Sequence, residues 1–316
     1  MNVLISFINS LPGAFGQGLA WGVMAIGVYI TYRILDISDL TVDGSLATGG
    51  AVAAIAISLG VNPWIAVLLA VLAGMLAGFA TGVFHTVCGI PAILSGILTQ
   101  LSLWSVNLAI MGMTSNRAMN LNKVELLVSL RYMQEVEAGM KPFFQHPILV
   151  VAIFCAVIIG LLYWFFGTER GCSIRATGAN THMARAQGIN TSMNKVIGIM
   201  LANGLVALSG CLWSQYFGFA EINMGRGAIV IGLAAIIIGD VIFSKIFRNF
   251  ALKLTAVVLG SVIYYIVIQL VVSSPVNMDT NFLKLVSAMI VAVFLTVPYV
   301  KQHYFHKKHK TAVKEK

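Results

Sequence analysis

The sequence predicts an all-α polytopic membrane protein with about nine transmembrane helices, in a range of eight to ten. Three observations predict it. The chain of 316 residues is 59% hydrophobic and 10% charged, where a soluble domain carries about 25% charged residues. Its mean hydropathy is +0.90. Between Gly44 and Asn116 there is no Asp, Glu, Lys or Arg. At ~20 apolar residues per span, that run alone holds about three spans.

Taken in order, the apolar runs place spans at 13–33, 41–60, 62–85, 90–112, 147–166, 195–216, 228–244, 251–272 and 283–299. The shorter, glycine-rich ones set the range, since they merge or split easily. No basic stretch precedes the first apolar run, so no cleaved signal peptide is expected. The first span carries a GxxxG step at Gly18 and Gly22, and the third carries two at Gly74, Gly78 and Gly82. This spacing lets helix backbones approach closely. We read it as packing within one chain, with a dimer face as the alternative. Segment 113–146 is the one sizeable excursion between the fourth and fifth spans. Its mixture of charge and apolar pairs suits a surface helix, serving as a lid, as a contact for an outside partner or as a plain connector.

Residues 167–195 interrupt the apolar pattern most clearly. Arg170, Arg175, Arg185 and Lys195 face a single acid, Glu169. Within this island THMARAQG reads as a short helix, with Asn180 or Thr181 as N-cap and Gly188 as its stop. A small ordered helix between two spans has the build of a docking element for a soluble partner.

Basic residues fix the predicted orientation. With nine spans and the C-terminus inside, the inner side holds Arg33, the four residues of the island, Lys245, Arg248, Lys253 and six lysines of the tail, 14 of the 20. The outer side holds Arg117, Lys123, Arg131, Lys141, Arg226 and Lys284. The prediction is N-out, C-in. The net charge of +9 then needs no nucleic acid: tail 301–316 reads as a basic anchor near anionic lipid. Cys88, Cys155, Cys172 and Cys211 form no CxxC, and neither a disulfide nor a metal site is expected.

Two stretches resemble each other: DLTVDGSLATGGAVAAIA from Asp39 and EINMGRGAIVIGLAAIII from Glu221. Each follows a span and leads from an acid through glycines into a small-residue helix. By the topology above they start on opposite sides, as an inverted repeat with broken helices would. Asp36, Asp39 and Glu221 read as cap and turn residues at the interface. Asp43, Ser45 and Thr48 read either as pathway-lining residues on a helix broken around Gly44, or as a solvated loop at the inner boundary. Asn223 and Arg226, in the stretch 223–227, would bracket the same route from the outer side.

No GxxxxGK[ST], GxSxG or HExxH occurs, so neither a P-loop nor a common hydrolytic site is present. A secondary carrier driven by an ion gradient would share the spans and the repeat. Span interiors nearly free of charge argue against a proton-coupled one.

GANTHMARAQGIN, followed by a span containing ALSG at Ala207–Gly210, resembles the cytoplasmic loop of ABC importer permeases of the branched-chain amino acid and ribose family. TVDGS at Thr41–Ser45, IPAILSGILTQLSL at Ile90–Leu103 and MGRGAIVIGLAAIIIGD at Met224–Asp240 are similar to the tryptophan/tyrosine permease group within it. The resemblance runs from about residue 13 to 300. It implies one transmembrane permease domain, 1–300, with 167–195 as cytoplasmic coupling loop, 113–146 as extracellular segment and 301–316 as basic tail. It implies an ATP-driven importer of a small solute, an amino acid that the tryptophan/tyrosine group would make aromatic, with a nucleoside or sugar as alternatives. It further implies a homodimer in a bacterial plasma membrane and an extracellular solute-binding protein. ATP and Mg would sit on a separate ATPase, and this chain would carry no cofactor of its own. Gly178, Asn180, Thr181, Ala184, Arg185 and Gly188 would form the coupling element, with Ala184 and Ala186 entering a groove on the ATPase and Arg185 pairing with one of its acids.

Overall fold

The structure is a computed structural model. It describes residues 2–119, 126–137, 145–243, 249–273 and 288–293, and the single positions 139, 142, 246, 247, 285 and 296. Lys123, Lys141, Lys245, Arg248, Lys284, the tail 301–316 and most of the predicted span 283–299 lie outside the described residues.

Eleven α-helices make up most of the described chain: α1 Asn2–Tyr29, α2 Val42–Ser58, α3 Pro63–Thr86, α4 Ala92–Ile110, α5 Arg131–Glu137, α6 Pro147–Gly167, α7 Glu169–Ala179, α8 Thr181–Ala186, α9 Thr191–Phe217, α10 Ala228–Phe243 and α11 Phe250–Val272. A π-helical segment, Ile30–Ile34, prolongs α1. Among the described residues, six helical segments are long and apolar enough to cross a membrane: Ser10–Ile34, α3, α4, α6, α9 and α11. The helices at two other predicted spans, α2 and α10, have 17 and 16 residues. At 1.5 Å per residue they reach ~25 Å, short of a ~30 Å hydrocarbon core.

Helices α1 and α9 form the middle of the bundle. Helix α9 packs against α3, α2 and α1, and α1 packs against α11, α10 and α6. Small residues permit these contacts. A Cβ at Gly74 or Gly78 would meet the α9 backbone at Asn203 or Ile199, and one at Gly82 would meet Val196. Gly18 and Gly22 lie against Val262, Val258 and Ser261 of α11. These GxxxG steps therefore pack within the chain. Buried hydroxyls add bonds between helices: Ser209 Oγ donates to the Ala20 carbonyl at 2.8 Å and Ser261 Oγ to that of Gly18 at 2.6 Å.

One end of the bundle carries α7 and α8 and is called the loop end below. The other carries a short ribbon that the all-α expectation did not contain. Strands β1 (Asn116–Ala118) and β2 (Phe219–Glu221) pair antiparallel, with Arg117 opposite Ala220. The described part of segment 113–146 is tied to the same end. The Leu127 amide donates to Gln215 Oε1 at 3.1 Å, and the Leu130 amide to the Tyr216 carbonyl. The surface helix expected there is the seven-residue α5.

Helix α2 is not broken at Gly44. It runs without interruption from Val42 to Ser58, and its glycines serve close approach. Gly49 lies against the Ala207 carbonyl of α9, Gly50 against Met224, and Gly44 against Gln100 and Leu103 of α4. The interruption lies upstream: Asp36 sits at φ +55°, and residues 36–41 are not helical.

Candidate functional sites: an end loop and a mid-bundle cavity

The loop element is built from caps and close contacts. Thr168 caps α7, its Oγ1 accepting from the Gly171 amide at 3.3 Å. Asn180 caps α8, its Oδ1 accepting from the Met183 amide at 2.9 Å. Asn190 caps α9 in the same way. Gly188 adopts φ +80° just beyond α8, a conformation that glycine takes without a Cβ penalty. The predicted start and stop of the short helix thus match the caps that form; the separate helix α7 before it was not anticipated.

Helix α7 lies flat on the bundle. A Cβ at Gly171 would overlap the Phe165–Phe166 backbone, and one at Gly178 would overlap the Ile34 carbonyl. Asn194 Nδ2 donates to Thr177 Oγ1 at 3.1 Å, fastening α7 to α9. The Arg175 guanidinium sits 5.7 Å from the centre of the Phe250 ring. In the next helix Arg185 Nη2 donates to Thr191 Oγ1 at 3.3 Å. Ala184 is only 4% exposed and packs on its own chain, so it seats α8 rather than offering a small face to a partner. The free face carries His182, Met183, Arg185 and Ala186, with Met183 63% exposed. Met183 was not singled out from sequence, because an isolated Met in a short helix has no pattern around it.

The second site begins at Asp39, which is not at an interface. It is 2% exposed in the middle of the bundle. One carboxylate oxygen accepts from the Thr41 amide at 2.9 Å, the other from Asn203 Nδ2 at 2.7 Å. Ser45 Oγ donates to Asn203 Oδ1 at 2.6 Å. The Thr41 and Thr81 hydroxyls are 2.7 Å apart, and the Thr81 hydroxyl donates to that of Thr99 at 2.9 Å. This network joins the start of α2 to α3, α4 and α9. Asn203 lies about halfway along α9, and Gln100 and Leu103, which touch Gly44, lie about halfway along α4. Helix α2 therefore starts inside the bundle, not at a boundary loop.

The two look-alike stretches meet there. Gly225 lies against the Asp43 carbonyl. The Asp43 carboxylate accepts from the amides of Gly227 at 3.0 Å and Ile229 at 3.1 Å, so it caps the first turn of α10, where a helix dipole favours negative charge. Two short helices thus converge by their N-termini in mid-bundle.

Beside this junction is a cavity of about 220 Å³, lined by Asp43, Gly44, Ala47, Gln100, Leu101, Trp104, Asn107, Ile222 and Arg226. The structure brings Asp43, Gly44 and Arg226 to it. It does not bring Ser45 or Thr48: both are buried, Ser45 on Asn203 and Thr48 bonded back to the Gly44 carbonyl at 3.0 Å. Asn223 does not line it either. The residues missed from sequence are Gln100, Trp104, Asn107 and Asn203. The first three carry a signal, since positions 100, 104 and 107 share one helical face in a span without charge.

Residues 11–297 match the family described as the permease component of the branched-chain amino acid transport system. A tyrosine transport system permease protein of Clostridioides difficile is 37% identical over 288 residues, 91% of each chain. An uncharacterized protein of Rickettsia prowazekii is 32% identical over 297 residues, 93% of this chain and 99% of its own. The ribose import permease protein of Escherichia coli is 27% identical over 232 residues, 73% of this chain and 69% of its own. No solved structure matches significantly.

Proposed function

Since the chain belongs to the branched-chain amino acid transport permease family, a family of multi-pass proteins of the bacterial inner membrane, we propose that it is the pore-forming subunit of an ATP-driven importer in which two copies enclose the route. The observation that carries this reading is the α7–α8 element: a capped six-residue helix seated at the end of the bundle, with His182, Met183 and Arg185 exposed. Such a helix suits the groove of a soluble ATPase, with Met183 as an adaptable apolar anchor and Arg185 as a partner for an acidic side chain. ATP and Mg would bind that ATPase and not this chain. A solute-binding protein would deliver the cargo at the ribbon end.

The loop end is assigned to the cytoplasm. Among the described residues it carries Arg33, Arg170, Arg175, Arg185 and Lys195, and Arg33 belongs to the π-helical segment that packs beneath α7. The ribbon end carries Arg117 and Arg131. The excess of basic residues follows the positive-inside rule.

The route is assigned to the face that holds Arg226. This side chain is exposed, yet it borders a cavity whose other walls lie along the second half of α4. An exposed guanidinium at such depth is not stable against lipid, so it faces water or protein. The cargo is an amino acid on the strength of the tyrosine permease relative. The ribose import permease relative, at lower identity and coverage, favours a sugar as the second reading.

The test is uptake by proteoliposomes that hold the chain with its ATPase and binding protein. ATP-dependent accumulation of L-tyrosine but not D-ribose supports the reading. Accumulation of D-ribose alone replaces the cargo. Uptake driven by an ion gradient without ATP overturns the whole assignment.

A further inference from the structure

We propose that the cavity beside Asp43 is a subsite for a zwitterion, an α-amino acid, within the permease itself. Arg226 takes the carboxylate, and Asp43 takes the ammonium. The proposal rests on the permease reading above and adds a selectivity step that does not depend on the binding protein.

The first argument is charge. Asp43 and Arg226 line the same small cavity, yet neither has an ion-pair partner among the described residues. Opposite charges on two walls of one cavity set up a field across it that favours a dipolar ligand. A ligand with both charges satisfies both groups at once. A sugar can hydrogen-bond to both groups but neutralises neither, and a simple anion would meet Asp43 with the wrong sign.

The second argument is geometry at Asp43. Each of its oxygens already accepts one backbone amide, from Gly227 or Ile229. A carboxylate offers about four acceptor positions, so about two remain, and the amides hold the group in a fixed orientation. Held in this way, Asp43 does not reach across the cavity to neutralise Arg226.

The third argument is the order of the two charges. Asp43 is half-buried at the start of α2, while Arg226 is exposed. Asp43 therefore marks the amine end of the cavity, and Arg226 its carboxylate end.

Size and walls complete the description. About 220 Å³ lies below the ~300–1,000 Å³ typical of pockets for drug-sized ligands, so the cavity suits one small solute. Trp104 and Leu101 offer an apolar and aromatic wall for its side chain.

The experiment uses the full-length chain with its ATPase in lipid nanodiscs, without binding protein. Equilibrium binding is measured for L-tyrosine, for tyramine (no carboxylate), for 4-hydroxyphenylpropionate (no amine) and for D-ribose. The expected result is saturable binding of L-tyrosine, with the other three at least about tenfold weaker. Arg226→Gln, at an exposed position, should weaken L-tyrosine to the level of tyramine and leave tyramine unchanged. Asp43→Asn, which keeps oxygen for the α10 amides, should weaken L-tyrosine and tyramine but not 4-hydroxyphenylpropionate. The subsite is overturned if no probe binds saturably, if D-ribose or tyramine binds as well as L-tyrosine, or if Arg226→Gln changes all probes equally or none. ATP-driven uptake by the complete assembly is measured in parallel. Uptake with an unselective cavity removes the subsite alone, whereas failure of uptake for every solute removes the permease reading too.

Discussion

Replacing Asn203 by Leu tests the buried network most directly. The two side chains branch alike but Leu is the bulkier, so the change removes polarity and adds some volume at a fully buried position. In the native arrangement Asn203 gives its amide to Asp39 at 2.7 Å and takes the Ser45 hydroxyl at 2.6 Å. Leu at this position leaves one carboxylate oxygen and one hydroxyl without partners. Neutral bonds between membrane helices average only ~0.6 kcal/mol, so Ser45 contributes little to the loss. Asp39 dominates, because a buried hydrogen bond to a charged group contributes about 1.5–3 kcal/mol. Taking ~1 kcal/mol as 2–4 °C in a large chain, the midpoint should fall by roughly 6 °C. Heating detergent-purified protein and following the monodisperse fraction by size exclusion reads this directly. Asp39→Asn in the Asn203→Leu background should recover a large part of the deficit, since the unpaired charge is then gone. An unchanged midpoint in Asn203→Leu, or deficits that simply add in the double variant, would refute the account.

Four further outcomes follow from the same contacts. Single cysteines at Asn180 and Arg117 in a cysteine-free background should label from opposite sides, Asn180 from the cytoplasm; the reverse pattern would invert the topology. Arg185→Glu and Met183→Asp should leave the protein in the membrane but lower solute-stimulated ATP hydrolysis at least tenfold, consistent with ~2–5 kcal/mol for a disrupted charged contact, and normal rates in both would dismiss α8 as the docking element. Gly178→Val sets a branched side chain against the Ile34 carbonyl, so it should loosen α7 and raise protease cleavage between residues 168 and 190; a cleavage pattern like that of the native chain would contradict this packing. Cysteines at Ser45 and Thr48 should resist aqueous thiol reagents while those at Trp104 and Arg226 react, and equal reactivity at all four would displace the cavity from its assigned face.

Part of this structure is legible because it is local. Asn180 and Gly188 announce α8, since a cap and a left-handed stop act within a few residues. The long spans declare themselves by length and hydropathy. The start of α2 does not. Nothing within 39–48 says whether that helix begins at a boundary or in mid-bundle, because the partners that decide it are distant: Asp43 bonds to Gly227, 184 residues away, and Asp39 to Asn203, 164 residues away. The same distance hides which residues of 43–48 face the cavity. Asp43, Gly44 and Ala47 do, while Ser45 and Thr48 turn into the network. Glycines read from sequence as close approaches, but their partners emerge only in three dimensions. The ribbon is two strands of three residues, too short for alternation to register.

Segment 30–41 is the hinge between these two kinds of information. It is the covalent link from α1 to α2, and the described contacts hold it from two directions. From the loop end, Gly178 of α7 lies on the Ile34 carbonyl and on Leu35. From within the bundle, Thr31 accepts through its carbonyl from the Ile37 amide, and Asp39 is clasped by Asn203. A π-helical turn followed by a residue at positive φ is a costly way to end a helix. It survives here because packing on one side and a buried carboxylate on the other fix both ends of the link. The next residues, Val42 to Gly44, form the first turn of α2, and Asp43 in that turn carries the cap of α10. A displacement of α7 therefore meets a continuous series of backbone contacts, with few exposed rotatable side chains to absorb it, before it reaches the wall of the cavity. Contiguity of this kind is a condition for coupling and not a measure of it. Its consequence is specific: residues that soften the link should alter the response of ATP hydrolysis to solute without touching either α8 or the cavity.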